Sequence, residues 1–463
     1  MRLEQNTINR QVFITATAAF VVSCLLGAWV SYELGGVGHL RGDSRDYFAQ
    51  ATDFLRGWDA IGAFYWPPGT ALVVSSFLRA VGSVSPVVGW AASCLFQAAD
   101  AALIVLLSAV LVGTRSIRAS AVLAVCYPTF LLTSGQTDSH IFALFWALIV
   151  ALCALFGARG RNQVWFAIAG LALGMAALTR PAMGLLGLFV PWVVLVESRA
   201  EMKGAGSRIF GRAAMAGLLA LCSLGVVLAP VLLHNHKQGA GWVISTNNQR
   251  NFFLGNNKYT PLYRTWHFAS RSLEQLPPDV SSYLRSMYRR PHPRESMVRA
   301  AAKEIQGHPG RFLLRTINRI CAFWGADYQA ARQLQQIFHL TPLWAALLFG
   351  VQAGGYWGLA ILVLIGTFSG EGGEQAHLRR LLWPTIGLLL LPYALAFSAP
   401  TYHFEALGLL FPIAAQGFER VHNRVSAGGW YGVSGLLRER AVLLALMAFA
   451  AVQVEFLLLV RGA

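Results

Sequence analysis

The chain has 463 residues, of which 56% are hydrophobic and only 13% charged, with a formal charge of +16. So much apolar surface exceeds what a soluble core can bury and excludes disorder, leaving a polytopic membrane protein as the class that fits. The positive balance does not indicate nucleic acid, because the basic residues gather in short loops between apolar runs, where the positive-inside rule places them. Six cysteines, Cys24, Cys94, Cys126, Cys153, Cys222 and Cys321, lie mostly within apolar runs without paired spacing, which points to neither a disulfide framework nor a zinc module.

A polar leader with Arg2, Glu4 and Arg10 precedes a first apolar run at about 12–30. It is too long for a signal-peptide core and is followed by no small-residue cleavage pattern, so it reads as a retained helix. A polar stretch follows. Asp43, Asp46, Asp53 and Asp59 fall within seventeen residues of a chain that has 21 acids in all, and Trp66-Pro67-Pro68-Gly69 ends the stretch with a turn no helix can run through. Thr70 to Val81 then reads as an interfacial helix. Further spans are expected at about 86–112, 117–133, 139–156, 164–178, 182–196, 213–233, 343–368, 380–398, 404–418 and 441–460, which with the first makes eleven.

If Thr70 to Val81 lies in the interface, one set of loops holds Arg115, Arg118, Arg159, Arg161, Arg199, Lys203, Arg208, Arg212, Arg379, Arg380, Arg420, Arg424, Arg438 and Arg440. The opposite short loops hold only Arg180 and Arg461. This asymmetry places Asp43, Asp138, Arg180, the long 234–342 loop and the 399–404 turn on one non-cytoplasmic face. The domain reading is a transmembrane module at 1–233 with its first outer loop at 31–85, a long outer loop at 234–342 with short helices, and C-terminal spans at 343–463. The long loop opens on an amide-rich run, Asn247 to Asn257, suited to turns and hydrogen bonding. It becomes basic from Arg285 through Arg289, Arg290, Arg294, Arg299, Lys303, Arg311 and Arg315 to Arg319, a pattern expected of a solvated or headgroup-facing surface.

Each chemically suggestive residue also has a plainer reading. Asp43 and Asp46 lie three apart and share a helix face, so they fit a capped helix start as well as a carboxylate placed to take a proton from an attacking hydroxyl. Asp138 precedes the 139–156 run and fits either an N-cap or a second acid of the same site. Asp100, beside Gln97 in the middle of an apolar run, is costly unless it bonds another helix or serves a function. Arg180-Pro181, at a tight apex between spans, suits snorkelling to lipid or a clamp on a substrate phosphate. Tyr402 and His403 form another such turn. His234 and His236 are spaced i and i+2 and point apart on a helix, which argues against a metal pair.

The arrangement resembles the GT-C superfamily of polytopic glycosyltransferases, in particular the branch with protein O-mannosyltransferases and lipid A aminoarabinose transferases, over nearly the whole chain. Asp43 with Tyr47 and a Pro-Pro-Gly before an interfacial helix looks like the family's first outer loop. Ser134 to Asp138 looks like the second. Gly170 to Pro181, Asn251 to Asn257, His308 to Phe312 with Trp324, and Tyr402 to Pro412 resemble recurrent stretches of bacterial members. Ser44 stands where many relatives carry a second acid, leaving Asp46 as a displaced carboxylate, and Tyr402 and His403 stand where relatives often carry an arginine.

The resemblance implies an all-α GT-C-like bundle in the bacterial cytoplasmic membrane, with its active site facing the periplasm or cell exterior. It further implies an inverting transfer of one sugar from a polyprenyl-phosphate donor to a glycan, lipid or protein acceptor, among membrane lipids and without nucleic acid. Asp43, Asp46 and Asp138 are then the catalytic acids. Arg180, Tyr402, His403, Trp66, Asn256 and Asn257 are the candidates for holding donor phosphate or sugar. No organic cofactor is implied, and a divalent metal, where one takes part, falls to Asp43 and Asp46. A flippase or transporter for lipid-linked sugar, and a polymerase or ligase using a diphosphate-linked donor, are the competing readings.

Overall fold

The computed structural model describes residues 2–34, 36–40, 42–160, 162–201, 206–263, 265, 272–289, 293–369 and 373–461. The expectations for Arg161, Lys203 and Arg290 fall outside these residues. Among the described residues the secondary structure is helical, with no strand. Seven helices are long and apolar enough to cross a membrane by length and composition: Asn9–Glu33, Pro86–Val112, Ser139–Gly160, Pro181–Ser198, Ser207–Lys237, Pro342–Phe368 and Arg440–Leu458. Side chains on their outer faces, among them Phe13, Leu25, Trp29, Leu218, Leu343 and Leu444, are exposed, as lipid-facing surface must be. The chain is thus an all-α multi-pass membrane protein.

Helix α1 (Arg2–Glu33) leads into a loop built from α2 (Ser44–Arg56), a 3₁₀ turn at Trp58–Ala60 and α3 (Gly69–Val81). In α2 the residues Tyr47, Phe48, Ala51 and Phe54 are buried, a helical spacing that lays one face on the protein and leaves the other polar. Gly57, at φ 104°, stops the helix. Prolines 67 and 68 then start α3, whose 13 residues span about 20 Å, short of the ~30 Å of a hydrocarbon core. Its buried Ala71, Val74 and Leu78 pack with Phe54 and Phe64, so α3 lies alongside the bundle as expected of an interfacial helix.

The next helices are α4 (Pro86–Val112), α5 (Ile117–Cys126), α6 (Pro128–Thr133), α7 (Ser139–Gly160), α8 (Val164–Thr179), a 3₁₀ segment at Pro181–Leu188, α9 (Phe189–Glu201) and α10 (Gly206–Lys237). The run expected as one span at 117–133 is broken: Pro128 supplies no N–H and pushes Tyr127 to an extended ψ of 116°. Helices α8 and α10 approach so closely that a Cβ on Gly170 would lie 2.3 Å from the Ala220 carbonyl oxygen, and one on Gly174 2.5 Å from Val227. Small residues four apart admit this contact.

The long loop contains α11 (Asn247–Gly255), α12 (Pro278–Tyr288), α13 (Pro293–Gly307), α14 (Pro309–Phe323) and α15 (Gln329–Phe338). Phe253, Leu254, Leu284, Met287, Met297 and Ala301 give it a core of its own. The expectation of a solvated basic surface fails at Arg315 and Arg319, which are fully buried under α14 while Leu313 and Ile317 face outward. Arg319 donates from Nη1 to the carbonyls of Ala394 and Leu395 at 3.2 and 3.1 Å, and from Nη2 to the Gly255 carbonyl. Arg315 donates to the carbonyls of Asn257 and Thr260. Their charge is drawn inward by the unpaired carbonyls where helices end, the negative pole of the helix dipole.

The chain closes with α16 (Pro342–Phe368), α17 (Gly373–Leu395), α18 (Phe404–Leu437) and α19 (Arg440–Arg461). The run expected at 404–418 is the start of a longer α18, kinked at Gly428 and Gly429. The segments expected at 117–133, 164–178, 380–398 and 404–418 are helical but are not among the seven that qualify as spans by length and composition.

Candidate active site

Gly42, at φ 48°, turns the chain into α2 and leaves Asp43 at the N-cap position. The Asp43 side chain makes no capping hydrogen bond, so the plain structural role open to it in sequence is not the one it plays. Its carboxylate keeps accessible surface, yet enough protein surrounds it to weaken hydration. That desolvation, reinforced by the negative charges of Asp138 and Asp46, pushes its pKa up to about 6 against the opposing pull of Arg180 and His140. Asp46, in the first turn of α2, is exposed.

The turn carrying Asp138 is clamped by two neighbouring helices. Ser31 of α1 donates to the Ser134 carbonyl at 2.7 Å, and the Trp90 indole of α4 donates to Ser31 Oγ at 3.0 Å. Gly135, at φ 76°, admits the Trp90 ring where a Cβ would sit 2.1 Å from it. Asp138 Oδ1 in turn accepts from the Ser139 hydroxyl at 3.3 Å.

Arg180 is the centre of the site. Pro181 ends α8 and leaves Arg180 extended, at φ −143° and ψ 109°, so that its side chain crosses the end of the bundle. Nη1 donates to Ser139 Oγ at 2.9 Å and faces His140 Nε2 at 3.2 Å; Nε donates to the Tyr393 hydroxyl at 3.2 Å and pairs with Glu405 Oε1 at 3.2 Å. His140 Nδ1 lies 3.0 Å from the same Glu405 oxygen. The stacked rings of Tyr393 and Tyr402, 4.6 Å apart, lie 5.9 and 5.1 Å from the guanidinium carbon. Among the described residues no bond engages Nη2. Tyr47 of α2, buried on the face of that helix turned to the protein, packs its ring 5.8 Å from Trp66 and so joins the two ends of the Asp43 loop.

The structure therefore brings together Asp43, Asp138, Arg180 and Tyr402 from the residues singled out in sequence, with Asp46 at the rim and Trp66 beside Tyr47. Three others it places elsewhere. Asn256 and Asn257 are buried, and their amides serve the fold: Asn256 donates to the Phe252 and Leu395 carbonyls and accepts from Arg319, while Asn257 donates to the Phe253 carbonyl and accepts from the Tyr259 N–H. His403 points away from Arg180, its Nδ1 donating to the Phe323 carbonyl at 2.6 Å and its ring stacked 4.6 Å from Tyr356. These three side chains thus lie apart from the Arg180 cluster in the fold.

Asp100 is buried in α4 with both oxygens unpartnered, as is the amide of Gln97 one turn before it, so the expected helix-to-helix hydrogen bond is not made among the described residues. His140, Glu405 and Tyr393 were missed as site residues. An acid opening an apolar run was the available signal for Glu405. Among the described residues no group of three or more His, Cys, Asp or Glu side chains converges with metal-ligating geometry. With Asp46 turned to solvent, the donor set at Asp43 and Asp46 does not fit a divalent metal.

No family model matches the chain, and no curated protein matches it. Among solved structures, the archaeal oligosaccharyltransferase AglB from Archaeoglobus fulgidus, in complex with an inhibitory peptide and a dolichol-phosphate, aligns at a TM-score of 0.49 and 12% identity over 96% of this chain and 55% of that one. The Archaeoglobus fulgidus oligosaccharyltransferase in complex with Zn and sulfate aligns at 0.47 and 13% identity, over 92% and 52%. ArnT from Cupriavidus metallidurans in the apo state aligns at 0.37 and 15% identity, over 89% and 79%. The chain thus spans about half the length of the archaeal proteins. At such identities these are distant likenesses, and the architecture described above stands on the chain's own helices.

Proposed function

We propose that this protein is a GT-C-type inverting glycosyltransferase that moves a single sugar from a polyprenyl-phosphate donor to an acceptor hydroxyl at the non-cytoplasmic face of a bacterial cytoplasmic membrane. The observation that carries the reading is Asp43: a carboxylate uncapped, partly desolvated and within electrostatic reach of an ordered guanidinium. A base of pKa near 6 is deprotonated at neutral pH and still basic enough to accept a proton as an attacking oxygen loses it.

In the transfer, Asp43 takes the acceptor O–H proton as the acceptor oxygen bonds to the anomeric carbon. On the opposite side the bond from that carbon to the phosphate oxygen breaks, and the electron pair leaves with the polyprenyl phosphate. Arg180, held by Glu405, His140, Ser139 and Tyr393, offers its Nη2 edge to the negative charge developing there. Because the guanidinium is already oriented, its reorganisation adds little to the barrier. Asp138 keeps Asp43 basic by its negative charge, and Trp66 offers a ring to a sugar face.

The test is transfer by purified protein in detergent from radiolabelled polyprenyl-phosphate monosaccharides to crude membrane acceptors. Labelled product from wild type and its loss in a folded Asp43→Asn variant support the reading; near-normal activity in that variant overturns Asp43 as base. The rival transporter reading has one observation in its favour, the unpartnered Asp100 within α4. It predicts that Asp100→Asn abolishes function while Asp43→Asn spares it.

A further inference from the structure

Beyond Asp43 and Arg180, an aromatic row leads away from the site to a second arginine. The Tyr47 and Trp66 rings lie 5.8 Å apart and the Trp66 and Tyr65 rings 5.2 Å apart. Tyr65 is 40% exposed. Its hydroxyl accepts from Arg250 Nη1 at 2.9 Å, and Arg250 Nε donates to the Tyr288 hydroxyl at 3.3 Å, with the guanidinium carbon 5.7 Å from the Tyr288 ring centre. The row thus joins two distant parts of the chain, since Tyr65 belongs to the first loop while Arg250 and Tyr288 belong to the long one. Asp43 is near enough for its charge to act on Tyr65.

Arg250 is half-buried, and among the described residues no carboxylate pairs with it. Its two hydrogen-bond partners are neutral phenols. Each phenol accepts from the guanidinium and keeps its own O–H to donate. The result is a cation and two O–H donors gathered at one point, with their charge unbalanced by the protein. A partly desolvated cation is costly unless an anion completes it. Between this point and Asp43 stand ring faces of the kind on which sugars stack.

We propose that Arg250, Tyr65 and Tyr288 form an acceptor subsite for an anionic group, carboxylate or phosphate, carried by a glycan whose neighbouring sugar lies over Trp66 with its hydroxyl at Asp43. This rests on the glycosyltransferase reading for the identity of the ligand as an acceptor. It goes beyond that reading in naming the acceptor's class: an acidic saccharide rather than a neutral glycan or an uncharged protein side chain. The uronate and the sugar phosphate share the chemistry that the subsite recognises.

The experiment is saturation-transfer NMR on the full-length protein in nanodiscs of neutral lipid, with three probes: a trigalacturonate, a phosphorylated maltotriose and unmodified maltotriose. At least one acidic probe is expected to bind about tenfold or more tighter than maltotriose, as a charge-assisted hydrogen bond provides. Arg250→Gln removes that preference, Arg250→Lys restores part of it, and Tyr65→Phe, which keeps the ring, weakens the acidic probe while leaving maltotriose unchanged. Equal binding of acidic and neutral probes, or an unchanged preference in a folded Arg250→Gln protein, overturns the subsite.

Adding anionic phospholipid to the nanodiscs separates the remaining source of phosphate: competition with the acidic saccharide that disappears in Arg250→Gln would assign the subsite to lipid headgroups and overturn the acceptor proposal. The labelled transfer products, passed over an anion exchanger, separate this inference from the one beneath it. Neutral products from an active enzyme defeat the acidic acceptor and leave the transferase standing. Arg250-dependent binding of an acidic saccharide without transfer from any donor defeats the transferase and leaves the saccharide site standing.

Discussion

The first loop and the long loop handle charge in opposite ways. In the long loop Arg315 and Arg319 are wholly enclosed and answered by backbone carbonyls, those of helix ends for Arg319 and those of the turn after α11 for Arg315, whose Nη1 also lies 3.9 Å from Glu304. In the first loop the Asp43 carboxylate keeps accessible surface and, among the described residues, no hydrogen bond or ion pair answers it, with Asp138 and Asp46 opposing its charge and Arg180 and His140 favouring it. A charge held by several carbonyls holds the fold together. One left unsatisfied costs stability and is available for chemistry.

That contrast is broken most directly at Asp43. Asp43→Asn is expected to lower turnover about 10² to 10⁴-fold, the usual contribution of a general base, and not to destabilise the protein. The sign follows from linkage. The Asp43 pKa is about 6 in the fold against an ordinary 3.8, so holding the charge opposes folding fully above pH 6 and not at all below 3.8. Thermal unfolding should therefore show Asp43→Asn more stable than wild type at pH 8, the gain vanishing toward pH 4. A variant that loses both activity and stability at pH 8 would place Asp43 with the scaffold charges.

Arg319→Met is the mirror case. It strands the carbonyls of Gly255 and Ala394, leaves that of Leu395 with Asn256 alone, and is expected to cost about 3–5 kcal/mol, as breaking a buried charged network does. Denaturation in detergent checks it, and a neutral result would show that water replaces the guanidinium. Glu405→Gln comes next. Loss of the buried partner of Arg180 is expected to cost about 3 kcal/mol of stability and to raise the KM for donor. Unchanged donor KM would mean that Ser139 and Tyr393 orient Arg180 without Glu405.

The pH profile of transfer sharpens the role of Asp43 without mutation. Protonation removes the base, so the rate should fall about tenfold per unit below pH 6, and Asp138→Asn should move that limb to lower pH by removing a like charge. A limb that does not move would assign the titration to another group. The smallest effect is expected at Trp66→Ala, a loss of about 1 kcal/mol of ring contact and hence a few-fold rise in KM with little change in kcat.

Much of the architecture was legible in the chain itself. Apolar runs long enough to cross a bilayer, the turn at Pro67 and Pro68 that a helix cannot run through, and an acid-rich stretch between two apolar runs are local features, and local rules read them. The break at Tyr127 was legible too, since Pro128 was in view, but run length overrode it. The alternatives for Asp43 stayed open because a capping acid and a catalytic acid occupy the same place in sequence. Only the position of its side chain, making no capping bond, separates them.

What the sequence determined alone is the class of molecule: an all-α membrane protein whose scarce acids gather outside the apolar runs. Tertiary structure decided which of the marked residues work together. His140 meets Glu405 across 265 residues and Arg180 meets Tyr393 across 213, pairings that no spacing rule reaches. It also removed Asn256, Asn257 and His403 from the site and drew Arg315 and Arg319 inward. The reason is that hydropathy and helix signals depend on near neighbours along the chain, whereas the cost of a buried charge depends on whichever groups the fold places around it.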